Sequence, residues 1–331
     1  MSELITRVLI EPVSKKWFEA LVGQHYSESQ VHKKSASTTS IHVRHFPIEF
    51  INPLNASLTK PNPLFIMQVT VISGLFAVFF YLMGSVFQTM NFRSNKDTRS
   101  QVFIFGGLAV LAHALSAYGV ILRTDGFHFG LFEITTLITL SISLSVLISS
   151  LRKPLQILFL GLFPLAAISI VASLVIRSDY PPTNMSLTLA SHVLISILSY
   201  SFITIAALQA GFLAYQDHQL KHGHTGGLIR KFPSLQDMEA FLFELVWVGQ
   251  MLLTLTITTA FLFFDDIWGV DGVIHKTVFS LLAWIVFAVL LWGRHQLGWR
   301  GQTAIRGTLS GFALLIIGFY GVKFALEYLI I

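Results

Sequence analysis

The sequence predicts an all-α, polytopic integral membrane protein with about eight transmembrane helices. Three observations carry this. Of the 331 residues 53% are hydrophobic, only 12% are charged, and the apolar residues fall in runs of about twenty between short polar connectors. A soluble domain carries roughly 25% charged residues and would leave its surface uncovered with so few. No strand alternation is visible, so helices rather than a closed barrel are expected to satisfy the backbone in lipid.

Taken in order, residues 1–63 are polar, rich in Lys, Arg and His, and contain SASTTS at 35–40. They lack the apolar stretch and small-residue cleavage site of a signal peptide. Spans are expected at 64–87, 101–122, 128–150, 154–176, 185–214, 242–264, 275–293 and 303–327. The connectors 88–100 (Arg93, Lys96, Arg99), 151–153 (Arg152, Lys153), 215–241 (Lys221, Arg230, Lys231) and 294–306 (Arg294, Arg300, Arg306) are basic, which makes them cytoplasmic. The alternate connectors show Arg123, Arg177 and Lys276, and one carries Asp265, Asp266 and Asp271. They are expected outside, with both ends of the helical core. A basic segment 1–63 would then have to be exported, which positive charge resists. It is read as a start-site artefact or dispensable extension, with Met67 opening the core; a cytoplasmic tail and a genuine exported tail are the rival readings. The expected domains are 1–63 (the extension), 64–176 (a four-helix membrane part) and 185–331 (a second four-helix membrane domain).

Lys and Arg number 22 against 17 Asp and Glu, but the excess sits in loops of one side and signals orientation rather than nucleic-acid binding. The chain has no cysteine. It therefore forms no disulfide, thiolate metal site or thioether link, and is not itself a c-type cytochrome. No phosphate-cradling loop, nucleophile elbow or paired metal-ligand motif occurs, so an enzyme such as a hydrolase or kinase is not expected.

Ionisable residues inside spans are costly and mark function by default. His113 is expected roughly 13 Å deep in the second span, His192 similarly deep in the fifth, and Glu133 near the start of the third, with His128 and His275 at the mouths of the third and seventh. Thr188, His192, Ser196 and Ser199 form one polar stripe. Gly106, Ala109, Ser116 and Ala117 flank His113 with small side chains that admit a neighbouring helix or a flat ligand. Two facing histidines can clamp a haem iron, with Arg123, Arg177 or Lys276 meeting its propionates. The bland alternative is that these histidines tie helices together by hydrogen bonds. His128 and His275 also read as interfacial residues, His218, His222 and His224 as a solvated loop, and Trp268, Trp284, Trp292 and Trp299 as an aromatic belt. Glu133 also fits a proton path in a transporter.

From the fifth span onward the chain resembles the cytochrome c assembly membrane proteins of the CcsA type, and among them the compact bacterial inner-membrane YpjD branch. The run SHVLISILSYSFITIAAL carries His192, Ser199 and Tyr200. VGQMLLTLTI carries Gly249, Leu252, Leu253 and Thr254. Trp268 and Gly269 precede HKTVFSLLAW with Lys276 and Trp284, and GWRGQTAI and YGV bring Trp299, Gly301, Tyr320 and Gly321. AHALSAYGVIL around His113 also has a counterpart in the compact branch. The resemblance implies haem binding on the outer side of the membrane, with haem b as cofactor, His192 as an axial ligand, and Trp268, Lys276 and Trp284 in the haem platform. His113 or His275 would supply the second axial ligand. The tryptophan-rich segment is shortened to WGVDGVIHK, Phe279 stands where another Trp is usual, and no histidine follows the last span. The implied function is haem handling as an accessory to cytochrome c assembly, with membrane lipid, other maturation proteins or apocytochrome c as partners. A membrane regulator of haem synthesis and a small-solute or proton-coupled transporter are the alternatives.

Overall fold

In the computed structural model, described residues run from 63 to 328 without 95–97, 124–125, 152–155, 177, 179–181, 184, 224–225, 227–231 and 264–272. The extension 1–62, Lys96, Arg152, Lys153, Arg177, His224, Arg230, Lys231, Asp265, Asp266, Trp268, Gly269 and Asp271 therefore lie outside the described residues.

Apolar runs of this length bury their backbone polar groups in helices, and the chain does so throughout. The helices are α1 (Pro63–Ser94), α2 (Arg99–Ile121), α3 (Leu131–Ser149), α4 (Phe159–Val175), α5 (Leu187–Lys221), α6 (Leu235–Phe263), α7 (Val273–Gln296), α8 (Gln302–Ile316) and α9 (Val322–Tyr328), the last two joined in line by a π-helical turn, Ile317–Gly321. Among the described residues, seven spans are long and apolar enough to cross a membrane, with α8, the π turn and the start of α9 making one of them; α4 is shorter. At 17 residues α4 rises about 25 Å, and a 3₁₀ turn at Gln156–Leu158 precedes it. Pro164 lies inside α4, where its missing N–H and ring disfavour a regular ladder.

Among the described residues one short sheet departs from the helical structure. Leu122–Arg123 (β1) and Gly126–Phe127 (β2) form an antiparallel hairpin between α2 and α3, and Phe127 bridges to Thr183 in the connector before α5. The hairpin marks one end of the bundle, where α2, α4, α6 and α9 finish and α1, α3, α5 and α7 begin.

Two groups of helices pack within this layout. In the first, α1 lies against α2 and α4, and α3 against α2 and α4; in the second, α5 lies against α6 and α8, and α7 against α6 and α8. Packing of α3 on α5 joins them. Lipid supplies no hydrophobic drive between helices, so close approach at small residues does much of the work. A Cβ on Gly84 would come 2.7 Å from the Phe163 ring, and one on Gly311 2.6 Å from the Phe287 ring.

The groups differ at the hairpin end. Along α5 no residue from 187 to 198 is fully buried, whereas Ser199, Ser201, Ile203, Ile205, Ala206 and Ala210 are. Along α7 burial starts only at Ala283 and continues through Phe287 and Leu290. The second group is thus close-packed at its far end and loosens toward the hairpin, while the first is packed along its length, from Ala77 and Tyr81 to Ile170.

Candidate functional site

His113 sits on α2, fully buried. Its Nδ1 lies 3.2 Å from Tyr81 Oη of α1 and its Nε2 2.9 Å from Thr136 Oγ1 of α3. In either tautomer both ring nitrogens are engaged, so an iron would have to displace a hydrogen bond. The small residues beside it do not open a slot. The Phe163 ring of α4 lies where a Cβ on Gly106 would approach within 3.1 Å. Tyr81 and Phe159 pack on that ring at centroid distances of 5.3 and 4.7 Å, and the Ser116 hydroxyl donates to the Thr70 carbonyl. An aromatic side chain from a third helix takes the room.

His192 sits differently. Two residues of the polar stripe of α5 face α6, with His192 Nδ1 2.9 Å from Thr259 Oγ1 and Ser199 Oγ donating to the Gly249 carbonyl at 3.4 Å, while Thr188 is exposed and Ser196 Oγ donates to the His192 carbonyl. The Thr259 hydroxyl gives its single proton to the Thr256 carbonyl, at 2.9 Å. With its proton there, the Thr259 hydroxyl accepts from the His192 tautomer that is protonated at Nδ1. Metal-ligating imidazoles are held in this manner, by a partner on the other nitrogen. Trp284 of α7 donates from Nε1 to Thr254 Oγ1 at 2.8 Å. Thr254 is five residues deeper on α6 than Thr259, so Trp284 is anchored about 7.5 Å below the level of His192. His275 is exposed in the first turn of α7, with Lys276 half-buried beside it.

The structure does not bring His113 and His192 together. Thr136 of α3 bonds His113, while the Ile138 carbonyl two residues on accepts from Ser201 of α5, so α3 stands between the two histidines' helices. The two-histidine clamp is not formed in this arrangement.

A cluster of charges lies at the hairpin end. Glu133, fully buried, pairs with Arg123 at 3.0 Å, so the guanidinium expected to meet a ligand meets a carboxylate instead. Glu327 caps the start of α3, accepting from the Leu131 N–H at 3.0 Å, and Lys323 Nζ lies 4.0 Å from Glu327 Oε2. Lys323 also interacts electrostatically with Glu133 and Lys276. Sequence reasoning missed Lys323 and Glu327. Residues 304, 308, 311, 315 and 318 are buried at steps of three and four, but the next are 323 and 327. The π turn inserts one residue, and the face that a regular helix would continue through Val322 and Ala325 passes to the two charged side chains. The readable signal was an opposite-charge pair four apart in the last turns of an apolar span.

At the other end Glu239 accepts from Arg294 at 2.8 Å, from Arg300 at 3.1 Å and from the Gly301 N–H at 2.8 Å, while Arg294 stacks over Phe243. This network fastens α6 to the connector between α7 and α8. His222 Nδ1 lies 2.7 Å from the His218 carbonyl, and no set of three His, Cys, Asp or Glu gathers as a metal site among the described residues.

The profile of the cytochrome c assembly protein family matches residues 101–330. The chain belongs to that family. Within it, the chain is 28% identical over 235 residues to the inner membrane protein YpjD of Escherichia coli, covering 70% of this chain and 88% of that protein. To the cytochrome c biogenesis protein CcsA of Prochlorococcus marinus it is 24% identical over 282 residues, covering 75% and 88%. A shorter stretch of 134 residues is 23% identical to the protein HemX of Brevibacillus brevis, covering 40% of this chain and 49% of that one. No solved structure matches the chain significantly. The matched range holds nearly all of α2 and the whole of α3 to α9, and so every site residue described above except Thr70 and Tyr81.

Proposed function

We propose that the chain is a non-enzymatic, haem-handling protein of a bacterial inner membrane that assists cytochrome c assembly. The observation that carries this is the place of His192: its Nδ1 lies 2.9 Å from the Thr259 hydroxyl, at the loosely packed end of the second helix group. Membership of the assembly family and similarity to proteins named for cytochrome c biogenesis support the same reading. A chain without cysteine holds haem by ligation alone, which favours haem b.

The residues present fit one axial ligand better than two. His192 would ligate through Nε2, Trp284 would wall the site, and Lys276 would meet a carboxylate. His275, exposed at the start of α7, is the candidate second ligand, and His113 is a tie between α1, α2 and α3. When bound, the haem would supply an iron that takes an imidazole nitrogen. What this chain's residues do is orient that imidazole, limit water from below with close-packed Ile203, Gly249 and Phe287, and leave the upper side open to apocytochrome c or another maturation protein. The hairpin end is the outer one, because Arg99, Lys221, Arg294, Arg300 and Arg306 lie toward the other.

The test is twofold. The purified chain should take up haemin in detergent with a saturable absorbance change, and cells lacking the chain should accumulate less haem-stained c-type cytochrome, restored by the wild-type chain and not by His192→Ala. Normal cytochrome c levels together with no haemin uptake would sink the proposal.

A further inference from the structure

The first helix group carries a cavity of about 190 Å³ at the hairpin end, where α1 begins and α2 and α4 finish. Its lining includes Met67, Thr70 and Val71 of α1, Arg123 of β1, and Ser173 and Leu174 of α4. Met67 and Val71 are exposed, so the cavity opens on the lipid-facing side of the bundle. Below it the helices close, since a Cβ on Gly74 would lie 2.7 Å from Leu174 and 2.8 Å from the Ser116 hydroxyl. The polar atoms of the lining are unequal. Thr70 Oγ1 donates to the Ile66 carbonyl at 2.8 Å and Ser173 Oγ to the Ile170 carbonyl at 2.9 Å, so neither hydroxyl has a proton left for a ligand. Arg123 has donors to spare. Its Nε donates to the Val120 carbonyl at 3.2 Å and its Nη2 to Glu133 at 3.0 Å, while Nη1 bonds no described residue. Two bonds thus fix the guanidinium plane and leave its third nitrogen open, the arrangement that suits a phosphate oxygen. Glu133 is fully buried and the Arg123 side chain 30% exposed, so an arriving anion meets the cation first. The carbonyls that end α2 and α4 are occupied, Ile121 by the His128 N–H and Ala172 by the Ile176 N–H. The start of α1 has no acidic residue in its first turn, and a helix start favours an anion.

We infer that this cavity seats one phospholipid, with a phosphate oxygen on Arg123 Nη1 and the upper part of an acyl chain against Met67, Val71 and Leu174. One fixed donor at the level of the helix ends, above apolar walls open to lipid, calls for a ligand with an acidic head and an apolar body. The bilayer supplies that ligand at that depth. The site belongs to the first helix group and does not rest on haem handling.

The experiment titrates the full chain, in non-ionic detergent, with dioleoyl phosphatidylglycerol and with dioleoylglycerol, and counts bound lipids by native mass spectrometry. The two share their chains and differ in the phosphate head. The phospholipid should bind roughly tenfold tighter, as charge-assisted hydrogen bonds do over neutral ones. Arg123→Gln should hold one tight phospholipid fewer than the wild type. Val71→Trp, which fills the cavity from an exposed position and leaves Arg123 in place, should also hold one fewer. Arg123→Gln leaves Glu133 buried without its partner, so if that variant does not fold, Val71→Trp decides alone. Equal binding of the two lipids by the wild type, or an unchanged count in folded Val71→Trp, overturns the inference. Displacement of the phospholipid by glycerol phosphate at equal concentration overturns the lipid in favour of a free phosphate ester.

Discussion

His113 and His192 are set out alike in the sequence, each deep in an apolar helix with hydroxyl or small residues at helical spacing, yet they occupy opposite environments. The first helix group closes on His113 with Tyr81, Thr136 and the Phe163 ring. The second sets His192 Nδ1 against Thr259 and has no fully buried described residue on α5 before Ser199. The difference lies in what the neighbouring helix delivers. A small residue on one helix is room for a ligand only if no large side chain from another helix fills it, and Phe163 fills it in the first group, while the first three turns of α5 are only partly buried or exposed. One imidazole thereby ties helices together, and the proposal gives the other to ligation.

The comparison can be broken most forcefully at Phe163. Phe163→Ala should cost about 3–5 kcal/mol of stability through the cavity left between Gly84 and Gly106, seen as a lowered unfolding midpoint in mixed detergent. If His113 then gained haem, the closed packing alone would have separated the two sites; the account expects none, because both ring nitrogens remain bonded. A smaller loss, about 2–3 kcal/mol, is expected for His113→Ala, which removes two buried hydrogen bonds and opens a smaller cavity. The same unfolding assay checks it, and a change near zero would mean that the tie is weak.

Paired hydroxyl substitutions sharpen the contrast further. Thr259→Val should weaken haemin binding about tenfold by releasing the His192 ring from its hydroxyl partner, whereas Thr136→Val beside His113 should leave haemin affinity as it is. Titrations followed by absorbance separate the two. The smallest effect is expected at the entrance of α5, where Ser186 Oγ accepts from the Leu189 N–H at 3.1 Å. Ser186→Ala should cost about 1 kcal/mol or less, and because the open end of the second group starts there, haemin affinity should fall less than twofold.

Much of the fold was legible because lipid leaves so few choices. Runs such as 64–87 and 242–264 name helices by length alone, and α1 and α6 run through them. The shortness of α4 was less visible, since its limits depend on where Leu158 and Ile176 leave the helix rather than on composition. The site was legible in part. His192 lies on α5 and Lys276 and Trp284 on α7, and of the stripe from Thr188 to Ser199 two members, His192 and Ser199, face α6. His113 misled because single-chain spacing shows which face is small and not which side chain arrives from α4. Lys323 and Glu327 were missed for a related reason: the π turn at Ile317–Gly321 shifts the helix register by one residue, and IGFYG carries no proline or charge to announce it. Arg123 was read as facing a ligand because its partner Glu133 lies ten residues on, across a hairpin whose pairing the sequence did not reveal.

The most direct test of the contrast between the two histidines is the reduced-minus-oxidised absorption spectrum of the haemin-reconstituted chain beside His113→Ala and His192→Ala. The account expects the haem bands to survive His113→Ala in folded protein and to be lost or shifted in His192→Ala. Bands that depend on His113 and persist without His192 would contradict it.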